Sequence, residues 1–243
     1  MNDRRRREIR SDISFFAIVV AVFVVFRTTA FAMYYIPSES MLPTLTVGDR
    51  VTVNKFAYGY SRYSAPFGLA PDLPTADGRI FSALPARGDV VVFRHPKRPE
   101  VLIKRVVGFP GDRISIENGR LHINGEAIDR RLNDAYAYRE HKGGIVDVAR
   151  FEETLGEKRH EFLERSDFHP SDDFGPVVVP PNALFVMGDN RDNSLDSRYA
   201  ETGVGFLPID HLIGRAEHVA FSTNFSRRSD GVKTHGSRWF SAL

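Results

Sequence analysis

The chain has no cysteine. That removes disulfides, thiolate metal sites and a cysteine nucleophile, and it leaves the compartment open. Net charge is also small: 33 Lys and Arg stand against 31 Asp and Glu, for +2. So slight an excess gives no electrostatic footprint for nucleic acid, and no nucleic-acid partner is expected. The excess is local. Residues 1–12 hold five Arg against Asp3, Glu8 and Asp12, and the rest of the chain sums to zero. No "HExxH" is present, which with the lack of Cys argues against zinc. No "GxSxG" elbow surrounds any candidate serine. None of the eight His lies in a distinctive stretch. His95 and His122 fall in strand-like segments and read as surface or satisfied core residues. No internal repeat is visible.

What is present begins with an apolar run. In "ISFFAIVVAVFVVF", residues 13–26, only Ser14 is polar. Residues 13–33 as one helix would be about 30 Å long, the thickness of a hydrocarbon core. Arg27 near the outer end can snorkel, and Tyr34 and Tyr35 suit the interface. The basic flank "RRRREIR" places the N-terminus on the cytoplasmic side. The same residues fit a rival, a cleavable secretory signal ending in "AFA", Ala30 to Ala32. Arg27, between the apolar run and that cut site, weakens the rival. Under either reading the body of the protein is exported.

That body reads mainly as β-structure, and 243 residues allow one large β domain or two smaller ones. "RVTVNKF" (50–56), "DVVVFRH" (89–95) and "VLIKRVVGF" (101–109) are strand candidates. "RISIENGRLHINGEAI" (113–128) carries Asn-Gly at 118–119 and 124–125, which predicts two stacked hairpins. Residues 57–88 read as a long loop. The charged stretch 129–175 reads as a surface insertion with room for one short helix. "VVVPPNALFVMGDN" (177–190) and "LIGRAEHVAFS" (212–222) return to strand. The tail 227–243 reads as a frayed end, or as a basic, aromatic contact with the membrane interface.

Three stretches suggest chemistry. "IPSESMLPTL" (36–45) combines two stiffening prolines with apolar residues that need a packing surface, and so makes a rigid mount for Ser40 or a capped turn. Lys104 lies between apolar residues in a strand. If buried it loses basicity and can take a serine proton; if exposed it is an edge-strand lysine that opposes aggregation. "GDNRDNSLDSR" (188–198) is dense in carboxylates, amides, serines and arginines. It fails as an EF-hand, since Ser197 stands where Gly is needed and Gly203 where Glu is needed. It fits a turn held by Asx hydrogen bonds and Asp–Arg pairs, able to hold Lys104 and Ser40 in register.

Taken together and in order, the N-terminal apolar run, "PSESMLPTL" with "GDRVTVNKFAYG", "RGDVVVF" with "IKRVVGFPGD", and "GDNRDNSLDSR" resemble the bacterial type I signal peptidases (leader peptidases). The resemblance covers the apolar run and the β core, not 129–175. It implies a membrane-anchored serine endopeptidase that removes signal peptides after an Ala-x-Ala type site. Ser40 would be the nucleophile and Lys104 the general base. The Ser38 hydroxyl and the Ser40 N–H would form the oxyanion hole, and Ser194 would orient Lys104. Arg105 would pair with Asp189, and Asp196 with Arg198. Ile36, Pro37, Leu102 and Ile103 would line pockets for small residues one and three places before the cut.

The implied fold is an antiparallel β catalytic core (34–128 and 176–226) with an inserted smaller β-rich domain (129–175). A basic cytoplasmic tail (1–12) and a single membrane-spanning helix (13–33) precede it. No cofactor or metal is implied. Expected partners are preproteins and membrane lipids, with the chain a monomer in the inner membrane and its catalytic domain periplasmic. Glu39 departs from the family pattern, which often has Gly there, and is expected to face solvent. The alternatives are a peptidase dedicated to one secretion or pilin substrate, and a noncatalytic tethered β domain.

Overall fold

The computed structural model describes residues 12–23, 30–64, 73–75, 77–140, 143–165, 169–222 and 239–243. Most of the basic tail, Arg27 and most of 227–243 therefore lie outside the described residues. Residues 12–23 are helical, with apolar side chains such as Phe15, Phe16 and Phe23 exposed. Among the described residues, no helix is long and apolar enough to cross a membrane. The helix expected over 13–33 also ends early: Phe31–Tyr35 is strand β1, paired with β2 (Asp49–Asn54). Ala32 faces Val53 in that ladder and Ala30 is fully buried. "AFA" is thus held in structure rather than offered as the free extended chain a peptidase cuts.

The alternating pattern of β2 buries Asp49, Val51 and Val53, the period of two expected of a half-covered strand. The loop expected over 57–88 carries a small ribbon, β3 (Tyr60–Ser61) with β4 (Arg79–Ile80). β5 (Val90–Arg94) and β6 (Val101–Gly108) follow as an antiparallel pair. β7 (Arg113–Glu117), β8 (Arg120–Ile123) and β9 (Glu126–Ala127) form the two stacked hairpins. Their turns place Asn118 and Gly119 at φ 50° and 73°, and Asn124 and Gly125 at 57° and 86°. Asn and Gly are the residues that tolerate this left-handed region.

Among its described residues the charged segment forms strands, without the short helix for which its sequence left room. β10 (Arg130–Arg139), β11 (Ile145–Leu155) and β12 (Lys158–Glu164) form a three-stranded antiparallel sheet. "FEETLGEKRHEFLE" (151–164) is a hairpin turning at Gly156, not a helix. Its pattern alternates, and the inward positions include Glu153, Leu155, His160, Phe162 and Glu164. Counting charges misleads here because two of the carboxylates are buried and paired.

β13 (Phe174–Val178) joins β7, and β14 (Ala183–Met187) pairs with β6 and β15 (Leu207–Pro208). β16 (Leu212–Ser222) bridges β2 and β5, and β17 (Trp239–Ala242) pairs with β16. The end of the tail is therefore a strand, not a frayed terminus. The main sheet runs β1-β2-β16-β5-β6-β14-β15. One apolar cluster joins Ile36, Met41 and Leu45 to Val51, Val53, Val90 and Val92. The segment bearing Ser40 is thus nailed to the sheet on either side of its serine.

Candidate active site

Ser40 stands in a turn between β1 and β2, fixed by the burial of Ile36, Met41 and Leu45. Its carbonyl accepts the Asn190 N–H at 3.1 Å, and the Glu39 carbonyl accepts the Asn190 side-chain amide at 3.1 Å. The loop after β14 therefore grips the turn through its backbone. Ser38 Oγ lies 3.4 Å from Ser40 Oγ.

Lys104 comes from β6, where it faces Val91 of β5. It is only 3 % exposed, so the edge-strand reading does not hold. Its Nζ donates to Ser40 Oγ at 2.9 Å and to the Ile103 carbonyl at 3.0 Å. Burial lowers its pKa to about 8, against the pull of Asp196, Asp189 and Glu100, which favour the ammonium. Glu39 is half-buried and is not among those charges.

Two buried ion pairs frame the couple. Arg105 clasps Asp189 with bonds of 2.8 and 2.6 Å and also donates to the Gly88 carbonyl at 2.8 Å. Thr44 Oγ1 donates to Asp189 at 2.5 Å, which ties the Ser40 turn to this pair. Burial pushes the Asp189 carboxyl up, but Arg105, His160 and Thr44 outweigh it and hold it below the usual range. Arg198 holds Asp196 in the same two-toothed way at 2.9 and 3.0 Å. Asp196 also accepts the Gly188 N–H at 3.0 Å, and its pKa is likewise depressed by Arg198 against the effect of burial. Ser194 Oγ is buried and makes no hydrogen bond of standard geometry, although it lies near enough to Asp196 to favour that charge. It packs against Gly188: a Cβ there would lie 2.3 Å from Ser194 Oγ and 2.5 Å from the Ser40 carbonyl.

Ile36, Pro37, Leu102 and Ile103 line one shallow cavity with Ser38, Ser40 and Lys104, about 60 Å³ in volume. Tyr34, Tyr35, Val92 and Val101 complete the wall. Sequence reasoning missed these four, together with Thr44 and Asn190. Val92 enters because it pairs with Ile103 in the β5–β6 register, a pairing no local stretch of the sequence records. Among the described residues one group has metal-ligand spacing, His169 with Asp172 and Asp192. His169 Nδ1 there is shared with Ser171.

A serine hydroxyl held against a buried amine of lowered pKa, on a mainly antiparallel β scaffold, is the arrangement of a serine hydrolase. The family model described as signal peptidase, peptidase S26, matches residues 9–221. The chain belongs to that family. It is 32 % identical over 235 residues to the signal peptidase I of Rickettsia typhi, covering 93 % of this chain and 85 % of that one. It is 36 % identical over 218 residues to the signal peptidase I of Pseudomonas aeruginosa, covering 86 % and 71 %. A crystal structure of a signal peptidase I from Enterococcus faecalis aligns with a TM-score of 0.33 at 23 % identity, covering 55 % of this chain and 97 % of that one.

Proposed function

We propose that this chain is a membrane-anchored type I signal peptidase that frees exported preproteins from their signal peptides, with Ser40 as nucleophile and Lys104 as base. The 2.9 Å contact between a buried Lys104 Nζ and Ser40 Oγ carries the reading. A neutral amine at that distance accepts the hydroxyl proton as Oγ attacks the scissile carbonyl. The oxyanion is met by the Ser38 hydroxyl and the Ser40 N–H. The lysine then returns the proton to the leaving amine as the C–N bond breaks. Water, deprotonated by the same amine, hydrolyses the ester and restores Ser40. Asp189–Arg105 and Asp196–Arg198 keep the two reacting groups in register.

A cavity of about 60 Å³ beside the couple suits a side chain such as Ala and supports cleavage after small residues. The helix over 12–23 exposes apolar side chains that water does not favour. Together with the apolar residues that follow it, this supports an anchor in the inner membrane, with the basic end cytoplasmic and the β domain on the far side. The chain acts as a monomer on preproteins presented at the lipid surface.

The test is cleavage of a preprotein with an Ala-x-Ala site by detergent-solubilised protein, beside folded Ser40→Ala and Lys104→Ala variants. Cutting after the second Ala by the parent alone supports the reading. Equal behaviour of all three, or no cutting by any, overturns it.

A further inference from the structure

The loop that carries Asp189, Asn190 and Ser194 is held on one side by the β core. On the other side it is held by the inserted sheet, which supplies neither Ser40 nor Lys104. Leu163 of β12 donates its N–H to the Asp189 carbonyl at 2.8 Å and bridges to Asn190. Arg191 lies 4.0 Å over the Phe162 ring and pairs with the buried Glu153 of β11. The Asn193 amide donates to the Tyr138 hydroxyl at 3.4 Å. Leu42, two residues past Ser40, packs with Tyr136, Tyr138, Val148 and Leu163 of the same sheet. The insertion therefore touches both halves of the site.

At the centre of this contact is His160. Its side chain is 5 % exposed, and its Nε2 lies 3.2 Å from Glu153 Oε1 and 3.9 Å from Asp189 Oδ1. Neither ring nitrogen has a fully aligned hydrogen bond. The surrounding charges are Glu153 from β11, Arg191 and Asp189 from the loop, and Arg105 from β6, two of each sign. With the charges already balanced, a neutral imidazole carrying its proton on Nε2 is the form that fits between two carboxylates. Burial and Arg105 hold its pKa down, against Glu153 and Asp189.

We propose that His160 is a positioning residue for the Ser40–Lys104 couple, its Nε2–H directed at Glu153 of the inserted sheet at 3.2 Å and set 3.9 Å from the Asp189 carboxylate that Arg105 holds, near enough to act on that charge without hydrogen-bonding it. The imidazole keeps the two carboxylates from facing each other bare. It also draws off part of the Asp189 field. That field favours the Lys104 ammonium, so a weakened Asp189 leaves Lys104 easier to deprotonate. The inserted sheet thereby tunes the base without touching substrate. This inference rests on the Ser40–Lys104 reading.

The test compares His160→Phe, His160→Asn and His160→Gln with the parent in full-length, detergent-solubilised protein, following preprotein cleavage against pH. The Gln amide reaches far enough to replace the N–H directed at Glu153; Asn is too short and Phe has none. In Phe and Asn, kcat falls by up to about 100-fold with KM little changed, as expected of a small misplacement remote from the chemistry. Their pH midpoint rises by about half a unit to one unit as Asp189 regains its field. Gln restores both. Phe or Asn with the parent's kcat and midpoint overturns the inference, as does Gln no better than Asn. If Phe does not fold, the Asn and Gln comparison decides alone. A parent that does not cut sinks the Ser40–Lys104 reading instead, so the two failures are distinguishable.

Discussion

Lys104 Nζ lies 2.9 Å from Ser40 Oγ, although 64 residues separate the two in the chain. The contact exists because β6 and the β1–β2 turn are both packed on β5 and its neighbours. It defines what the amine must do: it can serve as a base only after losing its proton.

Cleavage is therefore expected to rise with pH through a midpoint near 8, where the Lys104 ammonium gives way to the free amine. Lys104→Arg keeps its proton throughout and is inactive from pH 6 to 10. Measuring kcat/KM across that range checks both points, and a flat profile contradicts the assignment.

The same buried amine costs stability. Its folded pKa of about 8 lies below the ordinary 10.5. At pH values under about 8 both folded and unfolded chains carry the charge, and the folded one bears the burial penalty. The penalty shrinks as pH rises from 8 to 10.5, where the unfolded state binds more protons. At pH 7 it is on the order of 3 kcal/mol. Lys104→Met is expected to be inactive yet more stable by up to roughly that amount at pH 7, with the gain fading above pH 10. Denaturant titration at the two pH values tests this; a destabilised Met variant at pH 7 contradicts it.

Gly188 has no room for a side chain. An added Cβ would sit 2.5 Å from both the Ser194 Cβ and the Ser40 carbonyl. Gly188→Ala is expected to push the Ser40 turn away from the loop and to cost about 100-fold or more in kcat. Active-site labelling by a serine-directed acylating probe should slow in parallel. Unchanged labelling would show that the turn absorbs the methyl group.

Ile103 lines the cavity beside the couple. Removing methylenes there makes space for a larger substrate side chain, each methylene weighing roughly 1–3 kcal/mol in discrimination. Ile103→Ala is expected to raise cleavage of a Val-containing site relative to Ala by about tenfold or more. A competition assay with the two peptides reads the ratio, and an unchanged preference removes Ile103 from the pocket.

Much of the scaffold was legible in the chain because its signals are local. Asn118-Gly119 and Asn124-Gly125 dictate their turns through backbone sterics alone, and β2 shows its buried face by simple alternation. The motifs around Ser40, Lys104 and Asp189 could also be singled out, since prolines beside a serine and a lysine within an apolar strand are locally unusual. The strands of the insertion are less legible in its own residues for a related reason. Glu153, Glu161 and Glu164 look like solvent charges until their partners are known, and those partners, Arg191, Arg150 and Arg130, lie up to 38 residues away.

The sequence by itself determined the strands, the tight turns, the absence of thiol chemistry and the family to which the chain belongs. Tertiary structure alone decided how deeply Lys104 is buried, that its amine lies 2.9 Å from Ser40 Oγ, that Thr44 and His160 converge on Asp189, and that the charged insertion docks on the loop after β14. The physical reason is that burial and strand pairing are non-local. A lysine loses its proton more easily only when other strands take away its water, and no stretch of chain around it records which strands will do so.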